Sequence, residues 1–205
     1  MKKYLKYVLV LVIVVSIIII NQMINSKAMD NEKDEGYLVG KHIVEIDVKD
    51  YGKIKLELDA DTAPITVTNF INLVNEKFYD GITFHRIIDG FMIQGGDPEG
   101  TGYGGSSKKI KGEFKSNGIE NNISHVRGVI SMARSDDMNS ASSQFFIVHE
   151  DSTFLDGNYA GFGKVLEGMD VVDSIAAKTK VEDDNGTVAK ENQPVINSIR
   201  VVENN

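Results

Sequence analysis

The chain of 205 residues has no cysteine, no tryptophan and only three prolines. Without cysteine there is no disulfide, no thiolate nucleophile, no thiolate-bound metal and no lipid-modified amino-terminal cysteine. Pro64, Pro98 and Pro194 stand beside nineteen glycines, which favours tight turns over polyproline segments. No Gly-x-Ser-x-Gly and no His-Glu-x-x-His occurs, so the common serine and zinc hydrolase signatures are missing. Positive charge is also scarce. The net charge is −8, and four of the lysines (Lys2, Lys3, Lys6 and Lys27) fall before residue 29. An acidic remainder repels phosphate backbones, so no nucleic-acid partner is expected.

What is present begins with a long apolar run. Met1 to Lys6 is basic, and Tyr7 to Ile20 carries no charge over fourteen residues. A basic stretch followed by an apolar one is the pattern of a targeting segment. Residues 1–28 are read either as a retained membrane anchor or as a signal peptide cut after Ala28, where Ser26-Lys27-Ala28 supplies small residues. Fourteen residues are short against the ~20 of a spanning helix, and Asn21 to Ile24 would lengthen the run to a marginal span. Residues 29–37 form a polar linker, and residues 38–205 are expected to be one domain, large enough to bury a core. In either case the domain should act outside the cytoplasm.

Within that domain, His42 to Val48 and Lys53 to Leu58 alternate apolar and polar residues around the turn Lys49-Asp50-Tyr51-Gly52, which predicts a hairpin. Pro64 suits a first helical position, with Asp61 and Thr62 available as caps. Val67, Phe70, Ile71 and Val74 then give one apolar stripe. Val129–Ala133, Phe145–Val148, Ala160–Val165 and Val195–Val202 read as strands, and Met169–Ala177 as a second helix. Residues 178–193 read as a polar loop around Asp184-Asn185-Gly186. Many short strands with two separated helices predict a mainly β fold, sandwich or antiparallel barrel. Gly100-x-Gly102-x-x-Gly105 has the spacing of a dinucleotide fingerprint, but no parallel βαβ unit surrounds it. It is read as a tight loop, and no cofactor is expected.

The most informative stretch is Phe84-His85-Arg86-Ile87-Ile88-Asp89-Gly90-Phe91-Met92-Ile93-Gln94-Gly95-Gly96-Asp97. Two apolar runs flank Asp89-Gly90, a hairpin signal. With regular alternation, Arg86 shares a face with Phe84 and Ile88, while Met92 and Gln94 share a face of the next strand. A cationic fork beside an apolar patch suits a greasy ligand with carbonyls and an amide nitrogen, such as a proline-containing peptide. Gly128 to Ala133 with Ser143 to Ile147 and Phe154 to Val165 are two further blocks of the same kind.

These three blocks resemble the cyclophilins, a family of peptidyl-prolyl cis-trans isomerases, over roughly Gly40 to Val202. The resemblance implies a closed eight-stranded antiparallel barrel with a helix over each open end. It implies catalysis of X–Pro rotation by Arg86 with Gln94 in support. Phe91, Met92, Phe146 and Leu155 would grip the proline ring. Gly102, Ala133, Arg134, Ser135 and Gln144 would line the adjoining groove, with Phe154 and Tyr159 at its wall. Partners would be proline-containing polypeptides in transit, whose folding the enzyme assists, with weak cyclosporin binding and a monomeric state. A peptide-binding chaperone module without turnover is the alternative. Two positions depart from the family: Phe154 stands for a tryptophan and Tyr159 for a histidine, and the loss of the indole N–H bears on cyclosporin more than on catalysis. His85 is read as a structural hydrogen bonder, since rotation needs no proton transfer. His42, His125 and His149 lack metal-ligand spacing.

Overall fold

A computed structural model describes residues 36–202. The expected targeting segment and most of the expected linker lie outside the described residues. Among the described residues no helix is long and apolar enough to cross a membrane.

The strands are β1 (Lys41–Val48), β2 (Gly52–Asp59), β3 (Thr83–Ile88), β4 (Met92–Asp97), β5 (Val129–Met132), β6 (Phe145–Val148), β7 (Gly161–Glu167) and β8 (Ile196–Val202). Helix α1 spans Pro64–Asn75 and α2 spans Met169–Lys178. The strands form one antiparallel sheet in the order β3-β4-β6-β5-β7-β2-β1-β8. The sheet is open, which corrects the expectation of a closed barrel. Its edge strands meet only at an isolated Thr83–Val195 bridge and a few main-chain bonds, including Phe84 N–H to the Pro194 carbonyl at 2.9 Å. Pro194 has no N–H to return, so no continuous ladder grows there.

The interior is aromatic. Phe70 of α1 lies 5.5 Å from Phe145 and 5.3 Å from Phe162, centroid to centroid, and Phe84 lies 6.1 Å from Phe145. The Phe70–Phe145 and Phe84–Phe145 pairs meet edge to face, which adds to the burial of apolar area. Pro64 opens α1 as expected, but neither Asp61 nor Thr62 caps it. The orphan N–H groups of Ile65 and Thr66 instead donate to the buried Glu113 carboxylate at 3.0 and 2.7 Å. A residue 48 positions away thus does what a local cap does elsewhere.

The β4–β6–β5 segment has apolar residues on both faces, so β5 and β6 are buried at every position and only Ser131 interrupts their apolar side chains. Ile93, Phe145 and Ile147 belong to the core. On the other face Met92, Val129, Phe146, Val148 and Leu155 form a second cluster, joined by Ile88, Phe91, Ala133 and Tyr159 at its edge.

Candidate active site

This second cluster floors a cleft of about 560 Å³. Arg86, Phe91, Met92, Gln94, Gly102, Ala133, Arg134, Phe146, Phe154, Leu155 and Tyr159 line it. An adjoining cavity of about 450 Å³ shares Gln94, Gly102, Ala133 and Arg134 and adds Ser135 and Gln144. All thirteen residues singled out from the sequence therefore line one continuous groove. Thr101, Tyr103, Asn185 and Thr187, which sequence reasoning did not assign to the site, line the first cleft as well, as does His85, which it read as structural.

Arg86 reaches the cleft through a local irregularity. The β3–β4 register shifts between Phe84 and Arg86. The bulge places His85 and Arg86 consecutively on the groove side. Phe84 turns into the core against Phe145, fully buried, which corrects the expectation that it shares a face with Arg86. Ile88 stays with the groove cluster. Past the bulge, Arg86 pairs with Gln94 and Ile88 with Met92.

A directional relay holds Arg86 from one side. The Gln144 side-chain amide donates to the Gly102 carbonyl at 3.0 Å and the Gly104 carbonyl at 2.7 Å. Carbonyls only accept, so the amide orientation of Gln144 is determined, and its oxygen accepts from Gln94 Nε2 at 2.9 Å. Gln94 Oε1 is then turned to accept from Arg86 Nη1 at 3.3 Å. From the other side Arg86 donates from Nε to the Asn185 carbonyl at 2.8 Å and from Nη2 to Asn185 Oδ1 at 3.1 Å. Burial lowers the guanidinium pKa, opposed by Tyr159 and Asp183; the group remains a cation.

The glycine loop is occupied by its own aspartate. Asp97 accepts from the N–H groups of Glu99 (2.8 Å), Thr101 (2.9 Å) and Gly102 (2.6 Å). Burial alone would raise the Asp97 pKa, and these bonds outweigh it and lower it. The N–H groups a phosphate would use are spent. Gly96 sits at a close backbone approach: its φ is +89° and a Cβ would strike the Ser143 carbonyl.

The apolar cup is solid. The Tyr159 ring meets Phe146 edge-on at 6.0 Å, and the Arg134 guanidinium covers Tyr159 at 4.8 Å. Arg134 also donates to the Asn158 carbonyl, which closes that wall. Beneath Phe146, His125 stacks at 6.1 Å and bridges Asp156 and the buried Ser131, both at 2.9 Å. Phe154 is 72% exposed, its ring 5.5 Å from Phe91. His85 does not behave as a hydrogen bonder. Only 5% exposed, it has no partner at either ring nitrogen. Burial lowers its pKa, with Asp97 opposing. The nearby Gln144 side chain opposes too, although neither ring nitrogen meets it in hydrogen-bond geometry. Among the described residues no cluster of side chains could hold a metal ion.

Comparison with known proteins agrees with this geometry. Residues 43–202 match the family model described as cyclophilin type peptidyl-prolyl cis-trans isomerase/CLD. The chain is 44% identical over 144 residues to peptidyl-prolyl cis-trans isomerase B of Bacillus subtilis (strain 168), covering 70% of this chain and 92% of that protein. It is 46% identical over 130 residues to peptidyl-prolyl cis-trans isomerase CYP18-1 of Arabidopsis thaliana, covering 63% of this chain and 79% of that one. A crystal structure of a cyclophilin-type isomerase from Cryptosporidium parvum superposes with a TM-score of 0.71 at 30% identity, over 81% of this chain and 100% of the other. With a cationic fork over an apolar cup and a matched family model spanning nearly the whole described domain, the chain belongs to the cyclophilin-type peptidyl-prolyl cis-trans isomerases.

Proposed function

We propose that the chain accelerates X–Pro rotation in exported polypeptides, with Arg86 as the catalytic residue. The observation that carries this is the Arg86 guanidinium, gripped by Gln94 and Asn185 at the edge of a cup built from Phe91, Met92, Phe146 and Leu155. The chemistry asks for little else. The X–Pro amide resists rotation by about 18–20 kcal/mol because the nitrogen lone pair is shared with the carbonyl. As the bond twists, the lone pair localises on the prolyl nitrogen and accepts a hydrogen bond it could not accept when planar. A donor waiting there acts on the transition state alone. A charge-assisted hydrogen bond contributes about 1.5–3 kcal/mol. Burial of the proline ring and orientation by the groove supply the rest. No covalent step and no proton transfer occurs.

The basic and apolar amino terminus supports the assignment to exported clients, acting either as a membrane anchor or as a signal peptide removed after Ala28. The groove favours proline-containing chains that are still unfolded, and one copy suffices. Cyclosporin binding is weak in this reading, because Phe154 offers no N–H.

A protease-coupled or NMR exchange assay on the full chain tests the activity, and the expected result is X–Pro interconversion well above the uncatalysed rate. A rate no higher than peptide alone rejects the proposal. Amino-terminal sequencing and fractionation of the native protein test the location. Recovery in the cytoplasmic fraction contradicts export.

A further inference from the structure

The polar loop between α2 and β8 looks from its sequence like mere connection. In the structure its residues 182–188 form a strap laid against β3. Ile87 N–H donates to the Gly186 carbonyl at 2.8 Å and Val188 N–H to the His85 carbonyl at 3.0 Å. Thr187 bridges to Arg86. The strap is stiffened from within: the Asp183 carboxylate accepts from Thr187 N–H at 3.0 Å and Thr187 Oγ1 at 2.9 Å, and Gly186 N–H donates to the Asp183 carbonyl at 3.0 Å. Gly186 has a φ of +81°, and a Cβ there would strike the Ile87 carbonyl oxygen, so the approach to β3 is too close for any other residue.

The product of this construction is Asn185. We propose that Asn185 is a positioning residue for the isomerase reaction, holding the Arg86 guanidinium in the plane and roll that the twisting amide requires. The inference rests on the function proposed above.

Three arguments support it. First, Asn185 takes both Nε (2.8 Å) and Nη2 (3.1 Å), while Gln94 takes only Nη1 at 3.3 Å. Two parallel bonds to one residue fix a planar fork, whereas a single bond leaves it free to roll. Second, these bonds leave one N–H on each terminal nitrogen available to the cleft, out of the five that arginine carries. Third, the gripping group is neutral. A carboxylate at the same place would hold the fork equally well but would neutralise the positive charge that the developing lone pair needs. The neighbouring Asp183 carboxylate is turned onto Thr187 instead of onto Arg86.

The test is a double-mutant cycle in the full chain, read as kcat and KM on an X–Pro peptide, with the thermal midpoint measured alongside. Asn185→Leu removes the Oδ1 acceptor. We expect kcat to fall about 3- to 10-fold with KM and the midpoint nearly unchanged, since about one hydrogen bond of positioning is lost. In an Arg86→Ala background the same substitution should cost less than about twofold, because a residue that acts through Arg86 has nothing left to act on. Asn185→Asp, which is isosteric, should lower kcat while leaving or raising the midpoint, and it serves if the leucine variant does not fold. Wild-type kcat in both Asn185 variants overturns the inference. So does an equal loss from Asn185→Leu with and without Arg86. A wild-type chain without any acceleration is a different result, and it overturns the function itself.

Discussion

Replacing Gln144 by methionine keeps side-chain volume and removes every polar atom at the start of the relay. Three hydrogen bonds disappear: to the Gly102 carbonyl at 3.0 Å, to the Gly104 carbonyl at 2.7 Å, and from Gln94 Nε2 at 2.9 Å. Each contributes about 0.5–1.5 kcal/mol net, and water reaches this half-buried position, so the total loss is roughly 2 kcal/mol. For a domain of this size that lowers the thermal midpoint by about 4–8 °C. The kinetic effect has a separate origin. Without an acceptor for its nitrogen, Gln94 has no preferred amide orientation, and half of its states point an N–H at Arg86 Nη1. Asn185 still grips the guanidinium, so kcat/KM should fall only about 3- to 10-fold, less than removal of one full charge-assisted bond. Gln144→Glu separates the two roles. It keeps an oxygen for Gln94 but sets a carboxylate against two carbonyls, so it should lose at least as much stability and less rate. Scanning calorimetry and a peptide isomerisation assay on the same samples decide the matter. A Gln144→Met protein that melts early but turns over like wild type refutes the relay and leaves Gln144 a brace for the glycine loop.

Other consequences follow from the same geometry. His85 and His125 both have pKa values lowered chiefly by burial from the ordinary 6.5. As pH falls, the unfolded chain therefore binds protons before the folded one. Their contribution to stability is complete above about pH 6.5 and erodes below it until the folded state also titrates. The thermal midpoint should decline between about pH 7 and pH 5, and a His85→Asn variant should show a shallower decline; a flat profile in the wild type contradicts the burial argument. Phe154→Trp supplies an indole N–H at an exposed rim position against Phe91, and should tighten cyclosporin binding about 10-fold, roughly one hydrogen bond, with isomerase activity within about twofold; titration calorimetry of both proteins checks it. Gly186→Ala forces a side chain against the Ile87 carbonyl from a left-handed φ of +81°. It should cost about 1–3 kcal/mol of stability and kcat together, and denaturant melts of a protein as stable as wild type would remove the close approach from the account.

The parts of this molecule that could be read in the sequence are those whose causes are local. The β3–β4 hairpin followed from Asp89-Gly90 between two apolar runs, and α1 from Pro64 and its apolar stripe. The groove residues stood out because the matched family blocks contained them and because an arginine among large apolar side chains needs a reason. What escaped was non-local. The bulge at His85 breaks the two-residue alternation, so Phe84 was placed with Arg86 although it fills the core. The cap of α1 comes from Glu113, beyond any local cap rule. Asp183-Asp184-Asn185-Gly186-Thr187 announces a turn, but nothing in it tells that the turn returns to Arg86 across 99 positions. The open edge between β3 and β8 turns on where Pro194 falls relative to its neighbours in space, which its position in the chain does not reveal.

On the mechanism proposed, a guanidinium acts on the amide nitrogen only while the bond is twisted. NMR exchange on an X–Pro peptide at equilibrium, with wild type and Arg86→Ala at matched occupancy, tests it most directly. Cis–trans exchange should be about 10- to 150-fold slower in the variant, with peptide affinity nearly unchanged because the apolar cup is intact. Exchange as fast in Arg86→Ala as in wild type, or a loss explained wholly by weaker binding, contradicts it.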